Sequence, residues 1–138
     1  MNKEEKQLLF RVLCEMLPYD CIVTIAEGGI DGLQWDNVTL NSYLLYQIEE
    51  EDALEYVKPY LRPMSSMTED ERLELSMLTN DEFKFYLYTN EPIIMCSGKD
   101  YNYLNGLPIF DWLNAHYFDY HDLIEKGLAL EAPEGMYN

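Results

Sequence analysis

Five residues able to bind a metal or move a proton crowd one stretch: Asp111, His116, Asp119, His121 and Asp122. Imidazole and carboxylate together suit zinc or a harder cation, and an imidazole held by a carboxylate is a common device at such sites. The spacing argues against it. His116 and His121 are five apart, whereas one helix face repeats at three or four. Tyr117-Phe118-Asp119-Tyr120 between them reads as packing between two short helices. A small metal-binding or hydrolytic enzyme using His116, Asp119 and His121 is therefore the alternative reading. No catalytic residue, metal ligand or cofactor is assigned. Cys21 with His116 and a carboxylate would make a nucleophile–base set, but a chain with 3 Cys, 2 His and 26 acids supplies such triples by chance. Ser97-Gly98-Lys99 reads as a β-turn, because the upstream glycine of a phosphate loop is missing.

Charge is the stronger signal. The chain carries 26 acids against 9 bases, a net −17 over 138 residues. Such a field repels nucleic acid phosphates and anionic membranes and attracts basic protein surfaces. Between Glu49 and Glu82 there are eleven acids and three bases, a local net of −8. The acids come in runs, not at the alternate positions of a calcium loop. Tyr43, Tyr46, Tyr56 and Tyr60 interleave with them and offer rigid amphipathic anchors. The expected partner-binding residues are Glu49, Glu50, Glu51, Asp52, Glu55, Tyr56, Glu69, Asp70, Glu71 and Glu74. Together they would present a phosphate-like face to a basic groove built for nucleic acid.

The elements that would position these residues follow from pattern. Leu8, Leu9, Val12, Leu13, Met16 and Leu17 recur at helical spacing and predict a helix over 3–17, stopped by Pro18. Tyr19–Ala26, around Cys21–Ile25, reads as a strand, 27–32 as a glycine turn and 33–40 as a second strand with a bulge near Asn37. Residues 42–48 fit helix or strand. Pro59 and Pro63 suggest an extended loop. Thr68 and Glu71 form a capping box for a helix over about 68–78, with Leu75 and Leu78 inward. Phe83–Tyr88 alternates as a strand, and Ile93–Cys96 is a short second one. Asn90-Glu91-Pro92 and Ser97-Gly98-Lys99-Asp100 read as turns. Pro108 starts a helix lined by Ile109, Phe110, Trp112 and Leu113. A last helix is expected over 120–126 with Gly127 as its cap, and the tail from Leu128 ends irregularly. The sum is one α+β domain over 1–138, with an N-terminal helix, an antiparallel sheet of about four strands and C-terminal helices.

Hydrophobic residues at 48% and aromatics at 14% supply a core. The odd count of Cys14, Cys21 and Cys96 argues against a disulfide framework and for core thiols in a reducing cytosol. No apolar run approaches the roughly 20 residues of a bilayer span, and the polar Met1–Lys6 start is not a secretory signal. A cytoplasmic location is expected.

Two segments add context. Val57–Glu71, within 57–78, and Asp111–Tyr120 with Leu123–Leu130, within 108–137, resemble a family of short acidic proteins of gut Bacteroidales, their phages and mobile elements. The resemblance carries no catalytic residue. It implies a mobile-element setting, in which small acidic proteins include inhibitors of host defence. The leading expectation is thus a non-enzymatic interaction module: an inhibitor of the anti-defence, anti-CRISPR-like or nucleic-acid-mimic kind. Its partner would be a basic, nucleic-acid-handling protein. A structural accessory module is the remaining alternative.

Overall fold

Asn2 opens the first helix, α1 (Lys3–Met16), with a capping box: its side chain accepts from Glu5 N at 2.8 Å, and its own N–H donates to Glu5 Oε1 at 3.1 Å. Glu4 and Glu5 sit where the helix dipole favours anions. Leu9, Val12, Leu13 and Met16 form the buried stripe. Pro18 does not end the chain's turning at once. A 3-10 turn over Leu17–Tyr19 follows, closed by Asp20 in the left-handed region. The computed structural model describes residues 1–79, 83–88, 91–96, 99–101 and 107–137. It divides the chain into two compact units, Met1–Leu61 with Leu123–Asn138, and Arg62–Asp122. The fold class is α+β, as the pattern predicts.

In the first unit, β1 (Ile22–Ile30) and β2 (Leu33–Thr39) form the expected hairpin, but its turn is shorter than 27–32. Only Asp31 and Gly32 turn, both at positive φ, which matches the twist of a two-residue hairpin. Gly28 and Gly29 lie inside β1, where the register slips between Ile25↔Trp35 and Ile30↔Leu33. The bulge near Asn37 is present: the register slips between Val23↔Val38 and Ile25↔Trp35, and Asn37 has φ 52°. The ambiguous 42–48 segment is helical. This is α2 (Ser42–Glu50), whose Asn41 cap accepts from Leu44 N at 2.8 Å. It buries Leu44, Leu45 and Ile48.

The expected proline loop is a strand, β3 (Val57–Pro63), antiparallel to β1 through Val23↔Pro59. The Leu61 carbonyl accepts from Ala132 N at 2.8 Å on the opposite edge. Two residues earlier, the missing N–H of Pro59 falls on that same edge, where pairing starts only at Tyr60↔Leu130. The proline therefore costs the ladder no bond.

The second unit begins with Arg62 and Pro63 at the end of β3. A 3-10 turn over Met64–Ser66 leads to α3 (Glu69–Thr79). The Thr68 capping box is formed: Thr68 N donates to Glu71 Oε1 at 3.0 Å, and Glu71 N to Thr68 Oγ1 at 3.1 Å. Leu75 is buried, but Leu78, expected inward, is 50% exposed. β4 (Phe83–Tyr88), β5 (Glu91–Cys96) and β6 (Lys99–Tyr101) make an antiparallel meander. Glu91 and Pro92, expected in a turn, belong to β5. Lys99 and Asp100, expected in the next turn, belong to β6. Ser97 and Gly98 lie outside the described residues.

α4 (Leu107–Ala115) carries Pro108 in its first turn, as expected. β7 (Phe118–Asp119) then pairs in parallel with Arg62 and Pro63. Leu75, Ile109, Phe110, Trp112, Leu113, Phe118 and Tyr120 form one buried cluster, flanked by Met64 and Met67. No helix of the described residues is long and apolar enough to cross a membrane.

The helix expected over 120–126 is absent. Tyr117 and Asp122 both take positive φ, which no α-helix tolerates. What exists is one turn closed at Gly127, with Leu128 N bonded to the Leu123 carbonyl at 2.9 Å and Gly127 N to that of Ile124 at 3.1 Å. That pair of bonds is the glycine cap without the helix. The tail is not irregular either. β8 (Leu130–Glu131) pairs in parallel with β3 in the first unit, so the sheet is mixed, not wholly antiparallel.

Tyr137 pins the tail. Its hydroxyl donates to the Tyr60 carbonyl at 2.7 Å and accepts from Ile22 N at 2.9 Å. Tyr137→Phe would leave a strand N–H and a carbonyl without this partner. The expected loss is about 1–3 kcal/mol of stability, read as a lower urea midpoint at unchanged slope.

Candidate functional site

The expected binding acids fall into two groups, and helix physics treats the groups oppositely. Glu69, Asp70 and Glu71 occupy the first turn of α3, where the positive end of the dipole stabilises carboxylates. Glu71 is also engaged on both oxygens. Arg62 donates to Oε1 and Oε2 at 2.7 Å each, in a bidentate pair. Glu74 accepts from Trp112 Nε1 at 3.0 Å. Glu71 and Glu74 thus hold the second unit together, and Glu69 and Asp70 help start its helix.

Glu49, Glu50, Glu51 and Asp52 occupy the last turn and cap of α2, where the dipole is negative and anions are penalised. No basic residue stands in that turn. All four acids are exposed. The helix end is a Schellman motif: Ala53 N bonds the Ile48 carbonyl at 2.9 Å, and Asp52 N that of Glu49 at 3.2 Å. The left-handed position of this motif favours glycine, yet Asp52 fills it at φ 49°. Magnitudes explain why the helix survives. Burying Leu44, Leu45 and Ile48 contributes about 1.5–3 kcal/mol each. A misplaced charge at a helix end costs about 0.3–1 kcal/mol.

Tyr43, Tyr46 and Glu50 share the outward stripe of α2, three and four residues apart, and the two tyrosines are 70% and 59% exposed. Glu55 pairs with Lys6 at 3.2 Å. Tyr56 is exposed while its Cβ packs on Gly29, where a side-chain Cβ would lie only 2.7 Å away. Tyr60 is half-buried, and its carbonyl holds Tyr137. Below the acids lies a small cavity of about 150 Å³, lined by Phe10, Ile48, Glu49, Asp52 and Leu54. The sequence gives no sign of it, because Phe10 comes from α1 and the rest from the end of α2 and the turn after it.

The two histidines pack against aromatic rings. His116 stacks on Trp112 at 4.0 Å, and its Nδ1 lies 2.9 Å from the Trp112 carbonyl. Asp119 is buried in β7, and buried His121 packs against the Tyr120 ring at 4.6 Å. Among the described residues no group of three or more His, Cys, Asp or Glu is arranged to hold a metal ion. Burial pushes the Cys21 thiol up to about 11, although Tyr137 hydrogen-bonds it, so little thiolate exists to act as a nucleophile. Cys14, expected in the core, is exposed. Its thiol is raised by partial burial and by the charges of Glu15 and Glu49. Cys96 lies among residues whose side chains are not described. Comparisons with protein-family models, curated proteins and solved structures return no match.

Two outcomes follow. The Arg62 hydrogen bonds, with help from Thr68, lower Glu71 from 4.5 to about 2. Its folded-state value is depressed, so its stabilisation is complete above 4.5 and lost as pH falls towards 2. Glu71→Gln should cost about 1.5–3 kcal/mol at neutral pH and flatten the acid limb of the stability–pH curve from urea titrations. Asp52→Gly should instead raise stability by about 1 kcal/mol in the same assay.

Proposed function

We propose that this protein is a non-enzymatic inhibitor that binds a basic, nucleic-acid-handling protein through the acidic, tyrosine-bearing end of α2. One observation carries the reading: four exposed acids stand where their own helix repels them, with no base in that turn. Glu51 accepts from Asp31 N at 3.5 Å, so the acids left without a local role are Glu49, Glu50 and Asp52. A cationic partner relieves the repulsion on binding and is drawn in by the net −17 field. Tyr43 and Tyr46 give the contact rigid anchors beside the acids. Glu69 and Asp70 have a sufficient explanation in helix starting, so the contact centres on Glu49–Tyr56. The free thiols Cys14 and Cys21 are compatible with a cytoplasmic setting. His116 packs against Trp112 and His121 against Tyr120 within the second unit.

The test is capture from lysate with nuclease treatment at low and moderate salt, comparing wild type with a variant in which Glu49, Glu50, Glu51 and Asp52 are all lysine. The wild type should retain a nucleic-acid-binding protein that is released as salt rises. The variant should lose it, yet melt about 2 °C or more higher, since cations suit a helix C-terminus. Equal capture by both proteins at moderate salt would overturn the assignment.

A further inference from the structure

We infer that the cavity beneath the end of α2 is a receptor for one arginine side chain of the partner. The inference rests on the acidic end of α2 being the contact and says which partner group enters it. The cavity, at about 150 Å³, is too small for a metabolite-sized ligand, whose pockets run to roughly 300–1,000 Å³. It suits a single long side chain. Its lining is divided by chemistry: Phe10, Ile48 and Leu54 are apolar, and Glu49 and Asp52 are carboxylates. A long cationic side chain has the matching division, an aliphatic stem and a charged head.

Three features select arginine over lysine. Two separate carboxylates line the cavity, and the planar guanidinium has five donors in a fork that serves both, where an ammonium acts as a point charge. Phe10 offers an aromatic ring to a flat cation. The guanidinium is also more weakly hydrated, so it enters a partly apolar cavity at lower cost. Asp52 has its place for the same reason. Glycine would relax the turn but add no acceptor, whereas the Asp52 carboxylate brings a charged one to the cavity lining. Glu49 faces a second neighbour as well, since its charge reaches the Cys14 thiol on α1.

The experiment is a methyl-resolved NMR titration of the whole protein with N-acetyl-arginine methylamide. The uncharged citrulline and shorter-headed lysine analogues are run beside it. Saturable shifts of the Ile48 and Leu54 methyls with arginine, at least tenfold weaker with citrulline and weaker with lysine, are the expected result. Glu49→Gln and Asp52→Asn, both conservative on an exposed turn, should each weaken the arginine titration several-fold without moving the spectrum of the core. Equal shifts with citrulline, or no saturable shift at Ile48 and Leu54, would overturn the receptor. If the cavity stays silent while the lysine variant still loses its captured partner, the pocket fails and the acidic surface stands. If the probe binds and no partner is ever captured, the pocket stands and the function does not.

Discussion

Arg62 is the point at which the second unit closes. Its guanidinium grips both oxygens of Glu71, reaches the carbonyls of Ser66 and His116 and lies 4.2 Å over the Phe118 ring. One side chain so ties together the end of β3, the start of α3 and the approach to β7. Glu71 passes the constraint on, because the oxygen that meets Arg62 also caps Thr68 N. In a chain with only 9 bases, placing one at this junction lets an acidic helix begin beside an apolar cluster. Charge-assisted bonds hold there because both partners are half-buried and mutually satisfied.

The same economy is missing at the end of α2. There the chain spends four acids against its own dipole and puts Asp52 where glycine belongs. Apolar burial on the inner face carries the helix through the penalty. The two acidic helix ends are similar in composition and opposite in meaning, and only the direction of each helix tells them apart.

That direction was partly legible. The stripe Leu9–Val12–Leu13–Met16 and the Thr68 box identify α1 and α3 because each is a local pattern. Asn37 betrays its bulge by breaking the alternation of β2. α2 stays ambiguous because Tyr43–Ile48 suits a strand as well as a helix, and the Asn41 cap is the one local cue that decides it. β3 is hidden by its prolines, whose tolerance depends on which edge of the strand has a partner. The expected 120–126 helix has the right glycine cap, but Asp122 turns left-handed before a helix can form. The cavity brings Phe10 to Ile48 and Asp52, a long-range meeting that no local period records.

Gly29 has a reach beyond its own strand. It lies beneath Tyr56 because nothing larger fits there, so the stance of an exposed aromatic is set by a missing methyl on a neighbouring strand. A drift from glycine at this site would push that ring away while sparing every acidic residue. The exposed Tyr56 therefore has a silent dependency in the hairpin, and a change at position 29 would alter its setting while leaving the charge pattern untouched.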